Sequence, residues 1–243
     1  MRVLVLSDIH SNFPALQAVL RDAGAVDQTW CLGDLVGYGP DPNMVVETVR
    51  ELPRVTCILG NHDAAILRQM EFQAFNAEAR RSLTWTENVL TADNMAYLRT
   101  LPTQARMGSQ VTLVHGSPRD PTWEYVLNTL SARLNFSHFD TPYCFVGHSH
   151  IQSMFTQEAG SERVSMVMTR VGEPTALVPK TIVNPGSVGQ PRDRDPRAAY
   201  AIFEADANTW EAGRSEYDIG EVQRRIREAG LPIKHAVRLA EGW

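Results

Sequence analysis

Apolar positions along the chain fall in short runs that stop at polar loops. Residues 2–6 (RVLVL) form one such run and give way to SDIHSN. Pro14 then opens PALQAVLRDAG, where Leu16, Val19 and Leu20 share a face and Gly24 ends the pattern, as in an amphipathic helix. The theme repeats with an apolar run around 27–32, the loop GDLVGYGPDP, and a helix from about 42 to 51 bounded by Pro53. A third unit has a run at 55–59, the loop GNHD and more helical sequence. Successive strand–loop–helix units predict βαβ crossovers and a parallel sheet. Open sheets of this kind place their sites outside the carboxyl ends of the strands, where these polar loops lie.

Residues 63–100 carry helical spacing in AEARRSLTWTENVL and NMAYLRTL, and they suit a cap over a site or a subunit contact. Beyond 103, ARMG–SQVTLVHG predicts a hairpin, and YCFVG at 143–147 predicts a buried strand ending in GHSH. Short runs at 151–157, 163–169, 181–184, 199–205 and 209–214 read as further strands. GEVQRRIREAG, at about 219–229, predicts a closing helix, and the tail IKHAVRLAEGW ends on an apolar residue suited to docking. No low-complexity linker or fixed-period repeat divides the chain. One domain over 1–243 is expected, with a cap-like helical segment at about 63–100 and a C-terminal helix and tail at about 218–243.

Composition narrows the partners. A chain of 243 residues buries roughly 70–75% of its unfolded surface, enough for a core without disulfides. The 43% hydrophobic and 21% charged residues exclude wholesale disorder. Lys plus Arg number 23 against 28 for Asp plus Glu, and the formal charge of -5 argues against an extended nucleic-acid surface. A small anion held at a local positive site remains compatible with that charge. Cys31, Cys57 and Cys144 each lie in an apolar run and none is in a CxxC pair, so buried thiols are expected. With no apolar stretch long enough for a membrane span or a signal peptide, the expected setting is a reducing cytoplasm. Trp123, Tyr125 and the helical 72–98 stretch are candidates for an apolar subunit surface, with core packing as the alternative.

The candidate chemistry sits at the strand ends: Asp8 and His10, Asp34, Asn61 and His62, His115, and His148 with His150. Five of the seven histidines belong to this set. Each residue alone has an ordinary explanation as a cap or a turn, but recurrence at five strand ends weighs against loop chemistry. Carboxylate, imidazole and amide oxygen suit Mn, Fe or Zn, and the absence of thiolates argues against a structural zinc site. Four histidines, two aspartates and one asparagine exceed what one ion uses. They suit two ions about 3.5–4 Å apart with a shared carboxylate, an arrangement fitted to phosphate-ester hydrolysis.

Through DIH at 8–10, GD at 33–34, GNHD at 60–63, HG at 115–116 and GHSH at 147–150, the sequence resembles the calcineurin-like metallophosphoesterases. GDLVGYGPDP and NPGSVGQPRD are similar to the small prokaryotic, single-domain branch. The resemblance implies an α/β fold, a four-layer α/β/β/α sandwich of two mixed sheets flanked by helices. It implies two divalent ions, manganese first, with Fe, Zn or Ni as alternatives. Asp8, His10 and His150 are implied to hold one ion, Asn61, His115 and His148 the other, and Asp34 both. In-line attack by a metal-bridging hydroxide is implied, with His62 contacting the phosphoryl oxygen or protonating the leaving group.

The chain departs from the protein-phosphatase branch, whose GDxxDRG phrase supplies an Asp that orients the catalytic histidine and an Arg that grips phosphate. Gly37 and Tyr38 stand there instead, which disfavours protein serine/threonine phosphatase activity and leaves Asp63 as an open candidate for orienting His62. Asn61, Tyr38, Arg119 and Arg192 are candidate substrate contacts, with solvated turns as the alternative for both arginines. The expected activity is a phosphodiesterase or phosphomonoesterase acting on a small or nucleotide-like substrate. The alternatives are a protein that binds or senses a phosphorylated ligand with weak turnover, or a metal-dependent nuclease. The expected partner is a small phosphorylated substrate, with no membrane, and a homodimer by analogy with small relatives.

Overall fold

Alternation along the first strand sets the layering. In the computed structural model, which describes residues 1–243, β1 (Arg2–Leu6) sends Val3 and Val5 to one face and Leu4 and Leu6 to the other. Both faces are buried, which explains a continuous apolar run in place of polar alternation. β1 pairs in parallel with β2 (Gln28–Cys31), which pairs in parallel with β3 (Val55–Cys57). The crossovers are α1 (Phe13–Ala23) and α2 (Pro42–Arg50). The Asn12 side chain caps α1 by accepting from the Ala15 N–H at 3.2 Å, and Pro14 is fixed in the first turn, where no N–H bond is lost.

Antiparallel strands complete the first sheet: β11 (Ala198–Glu204) beside β1, then β12 (Thr209–Ser215), then β9 (Thr175–Ala176). The second sheet runs β4 (Gln104–Met107), β5 (Val111–Val114), β6 (Tyr143–Phe145), β10 (Thr181–Pro185), β7 (Gln152–Gln157), β8 (Val164–Val167). Within it β5, β6 and β10 are mutually parallel. Val3, Val5, Trp30, Phe203 and Trp210 of the first sheet meet Leu113, Phe145 and Val183 of the second in one buried cluster. The opposite face of the first sheet packs under α1, α2 and α4 (Ala77–Val89), and that of the second under α6 (Thr129–Asn135). These are the four layers, two mixed sheets with helices outside both.

The 63–100 stretch resolves into α3 (Asn61–Ile66), a single 3-10 turn, α4 and α5 (Ala92–Leu98), with Asn76 and Thr91 capping the last two. Two helices exceed the sequence expectation. One is α6, seven residues long and too short to show a full apolar period, which Asn128 and Ser131 cap reciprocally. The other replaces the expected tail: after α7 (Ile219–Glu228), Ile233–Glu241 forms α8, which buries His235, Ala236 and Leu239 against α7. No helix is long and apolar enough to cross a membrane.

Phe203 bridges the sheets, with its ring 5.9 Å from Trp30 and 5.2 Å from Phe145. Truncation there opens a cavity that rigid strands on both sides cannot close. Phe203→Ala is expected to lower unfolding stability by about 3–5 kcal/mol, read from urea denaturation.

Candidate metal centre

The parallel strands of both sheets deliver their C-terminal ends to one edge of the molecule. Each chain turns sharply there: Asp8 (φ 53), His10 (φ 49), Asp34 (φ 54), His148 (φ 62) and His150 (φ 61) are all left-handed. Asp and His tolerate that region better than most residues, yet each such residue still carries strain of order 1–3 kcal/mol. The loops are tied to one another by backbone bonds from Asp8 N to Gly33 O (3.0 Å) and from His10 N to Asp34 O (2.9 Å). Gly60 is required by proximity, because a Cβ there would collide with the Asp34 carboxylate.

Three buried triads result: Asp8–His10–His150, His10–Asp34–His62 and Asp34–His115–His148, each with ligand atoms within 4.8 Å of one another. His150 Nε2 lies 3.2 Å from Asp8 Oδ1. Asp34 Oδ2 lies 3.6 Å from His10 Nε2 and 3.4 Å from His115 Nε2, so one carboxylate oxygen faces both outer triads. Asn61 Oδ1 joins the second group at 2.8 Å from His115 Nε2. The other Asp34 oxygen accepts from the His62 backbone N–H at 2.8 Å, which fixes the carboxylate plane.

The donor set fits cations. Backbone carbonyls of Val36, Leu32 and Gln190 face Nδ1 of His10, His115 and His150 at 3.1, 2.8 and 2.6 Å. A carbonyl only accepts, so each Nδ1 carries a proton and each Nε2 is turned to the centre, as a bare lone pair on His10 and His150, whose imidazoles burial keeps neutral. His10 Nε2 and His150 Nε2 consequently confront each other at 3.1 Å, a repulsive contact that a cation relieves. Asp8 Oδ1, Asp34 Oδ2 and His148 Nε2 are buried with no hydrogen-bond partner, a costly state for groups without a ligand.

Electrostatics agree. Burial pushes the His10 and His150 imidazoles well below their ordinary value, His148 down to about 3 and His62 down to about 4. Burial also opposes charge on His115, but the Asp34 carboxylate outweighs it and lifts His115 to about 10. Asp34 is held well below the carboxylate range: burial would raise it, and the neighbouring His115 and His62 charges prevail.

Asp63 is not the orienter of His62. Its carboxylate accepts backbone N–H bonds from Leu35 (3.3 Å), Val36 (3.2 Å) and Gly60 (3.1 Å), stapling two ligand loops together. His62 Nδ1 is buried without a partner and packs on Gly37 (φ +92), where a Cβ would overlap it. The resemblance kept His62 out of the ligand set, while the geometry groups its ring with His10 and Asp34.

A cavity of about 240 Å³ opens over the centre. Asp34, Asn61, His62, His148 and His150 line its base, and Tyr38, Phe75, Trp123, Tyr125 and Arg192 its walls. Tyr125 stacks on His148 with centroids 3.8 Å apart and planes at 16°. Trp123 and Tyr125, read from sequence as a subunit surface or core, thus stand over the ligands; Phe75 carried no signal of its own. Asn61, Tyr38 and Arg192 come together here, whereas Arg119 does not. Glu124, five residues on, binds the Arg119 guanidinium outside this cavity, and that local ion pair accounts for it.

The sequence pattern of the calcineurin-like phosphoesterase superfamily domain matches residues 1–208. The chain belongs to this superfamily. An uncharacterized protein of Methanocaldococcus jannaschii is 36% identical over 236 residues, which is 95% of this chain and 93% of that protein. The crystal structure of a metallophosphoesterase from Sphaerobacter thermophilus shares a TM-score of 0.91 and 46% identity, covering 100% of this chain and 99% of the other. A hypothetical protein of Pyrococcus horikoshii, 23% identical, shares the fold with a TM-score of 0.79 over 100% and 98% of the two chains. A symmetrical bis(5'-nucleosyl)-tetraphosphatase of Serratia proteamaculans is 38% identical over 71 residues, only 28% of this chain and 25% of that enzyme. This calcineurin-like phosphoesterase is a metal-dependent enzyme whose adjacent triads make a dinuclear site.

Because Gly60 makes room for the Asp34 carboxylate, which faces both outer triads, Gly60→Ala is expected to displace it and reduce bound metal from two ions to one or none. Metal analysis of the purified variant, with circular dichroism to show a retained fold, is the check; a full complement would contradict the assignment of Asp34.

Proposed function

We propose that the chain hydrolyses a small phosphomonoester or phosphodiester with a nucleotide-like or aryl organic half. The observation that carries this reading is a cavity of about 240 Å³ with the ligand cluster at its base and aromatic rings around its walls. Such a space suits one small ester, and rings such as Tyr38, Phe75 and Trp123 suit a flat organic group. Asp8, His10 and His150 would hold one ion, Asn61, His115 and His148 the other, and Asp34 both. Manganese is the first choice on the oxygen and nitrogen donors, with Fe, Zn and Ni behind it. When bound, the two ions supply Lewis-acid polarisation of the phosphoryl group and a hydrolytic water of lowered pKa.

The chain's own residues orient the ester. Arg192 on the cavity wall offers a guanidinium fork to phosphate oxygens of the ester, and Asn61 offers amide N–H to the reacting phosphoryl group. Without a carboxylate behind Nδ1, His62 is better suited to donating a hydrogen bond to a phosphoryl oxygen than to protonating a poor leaving group. Esters with good leaving groups are therefore favoured. The same orphaned Nδ1 supports a second reading, a phosphorylated-ligand sensor with weak turnover. A nuclease is disfavoured by the small cavity and the -5 charge.

Helices within 63–100 act as a cap on this reading, supported by Phe75, Asn76 and Ala79 in the cavity wall, within one domain over 1–243. Three free, buried thiols support a cytoplasmic setting. A homodimer is carried over by analogy alone, and sedimentation tests it.

Purified protein with added manganese is expected to cleave activated aryl mono- or diesters, to lose activity on chelation and to regain it on readdition. Asp34→Ala should lower kcat/KM by about 10³ or more, since several kcal/mol of charge stabilisation vanish with the shared ligand. Full activity after chelation overturns the proposal, and tight ligand binding without product supports the sensor. Arg192→Ala should raise KM about tenfold, the effect of one charged hydrogen bond.

A further inference from the structure

The last helix, α8, lies beyond the residues matched by the superfamily pattern and packs behind one wall of the cavity. Tyr38 is the meeting point. Its ring lies 4.8 Å from the His235 ring of α8, and the Arg192 guanidinium carbon lies 6.0 Å from its centroid. Arg238 follows His235 by three residues, which places both on one face of α8. A backbone bond from Arg194 N to Gly242 O (2.8 Å) ties the Arg192 loop to the end of that helix.

Nearby arginines are neutralised: Arg197 meets Asp195, Arg214 meets Asp193 and Arg225 meets Asp41. Neither Arg192 nor Arg238 forms a salt bridge, and the Nε of each is buried without a partner. Arg192 uses one terminal N–H on the Gln190 side chain at 3.2 Å, and Arg238 lies 5.0 Å from the Trp243 ring centroid. Glu78, whose charge Arg238 also feels, faces Lys234 at 3.8 Å. Burial first, and then the positive charge of Arg192, push Arg238 below its ordinary value. Two partly buried cations thus repel each other with no anion between them, an unfavourable state that a bound anion relieves.

We propose that Arg192 and Arg238 form a second anion site beside the metal centre, which takes a phosphate of the substrate other than the one hydrolysed. The substrate class is then an ester bearing two phosphates, and this assignment rests on the phosphoesterase reading above. Guanidinium forks favour phosphate here because each can give paired N–H bonds to its oxygens.

The probes are propane-1,3-bisphosphonate and propylphosphonate, whose carbon–phosphorus bonds resist hydrolysis, titrated into the metal-loaded protein by calorimetry. The bisphosphonate should bind about tenfold tighter or more, the effect of one added set of charged hydrogen bonds. Arg238→Gln should erase that advantage. Arg238→Met keeps the buried stem and serves if the glutamine variant does not fold. Equal affinity for the two probes in the unmodified protein, or an undiminished advantage in a folded Arg238 variant, overturns the second site. Neither probe needs turnover, so an inactive protein that still prefers the bisphosphonate would sink hydrolysis and keep the site.

Discussion

Buried lone pairs with nothing to accept them govern this structure. Asp8 Oδ1, Asp34 Oδ2 and His148 Nε2 are sealed from solvent without a donor, and two imidazole lone pairs face each other at 3.1 Å. Desolvation of this kind costs several kcal/mol per group if left unanswered. The backbone holds the cluster together regardless, through left-handed residues at five of its positions and carbonyls that orient three imidazole rings. Asp63 contributes from outside the cluster by binding the N–H groups of two ligand loops at once. The fold has therefore put strain and desolvation where cations repay both, and metal binding is coupled to stability as well as to chemistry.

The same crowding explains why His62 stands apart. Gly37 leaves space for its ring and supplies no side chain to hold it, so Nδ1 faces a backbone and nothing more. A histidine held this way keeps its position through packing on Tyr38, 4.4 Å away, and Phe75, 5.1 Å away. Those rings also wall the cavity. On the proposed reading, positioning of the histidine and recognition of the organic group would both come from one set of aromatic contacts, so that a change at either ring would reach both.

The sequence made some of this legible and hid the rest for physical reasons. Asp8, Asp34, His115 and His148 are visible because each directly follows an apolar run, so the strand that buries the run also aims the residue at the shared edge. The cavity walls carry no such mark. Tyr125 covers His148 only because the loop after β5 folds back across the end of β6, a contact between segments that share no local pattern. Arg119 and Arg192 sit in similar Pro-Arg-Asp phrases, and what separates them is Glu124, which neutralises one and not the other. Helix α8 has its apolar positions but lacks a side-chain N-cap, opening after Pro232, so it looked like a tail. Its role at Tyr38 depends on a tertiary contact with residues almost two hundred positions earlier.

Charge distribution bears on the proposed preference for small substrates over large ones. The formal -5 counts the chain without its ions, and it is spread over a surface whose arginines mostly meet carboxylates. In the cleft the balance would reverse on metal binding, since two divalent ions would outweigh Asp8 and Asp34, and Arg192 adds a further positive charge on the wall. Screening confines each effect to about 8–10 Å at ordinary salt. A small phosphate ester that enters the cavity feels the positive interior at short range and little of the acidic exterior. A long polyanion laid across the opening meets both, and its flanking phosphates are repelled for every one the centre attracts. On the proposed reading, size and charge selection would thereby come from one arrangement, a positive centre recessed in an acidic body.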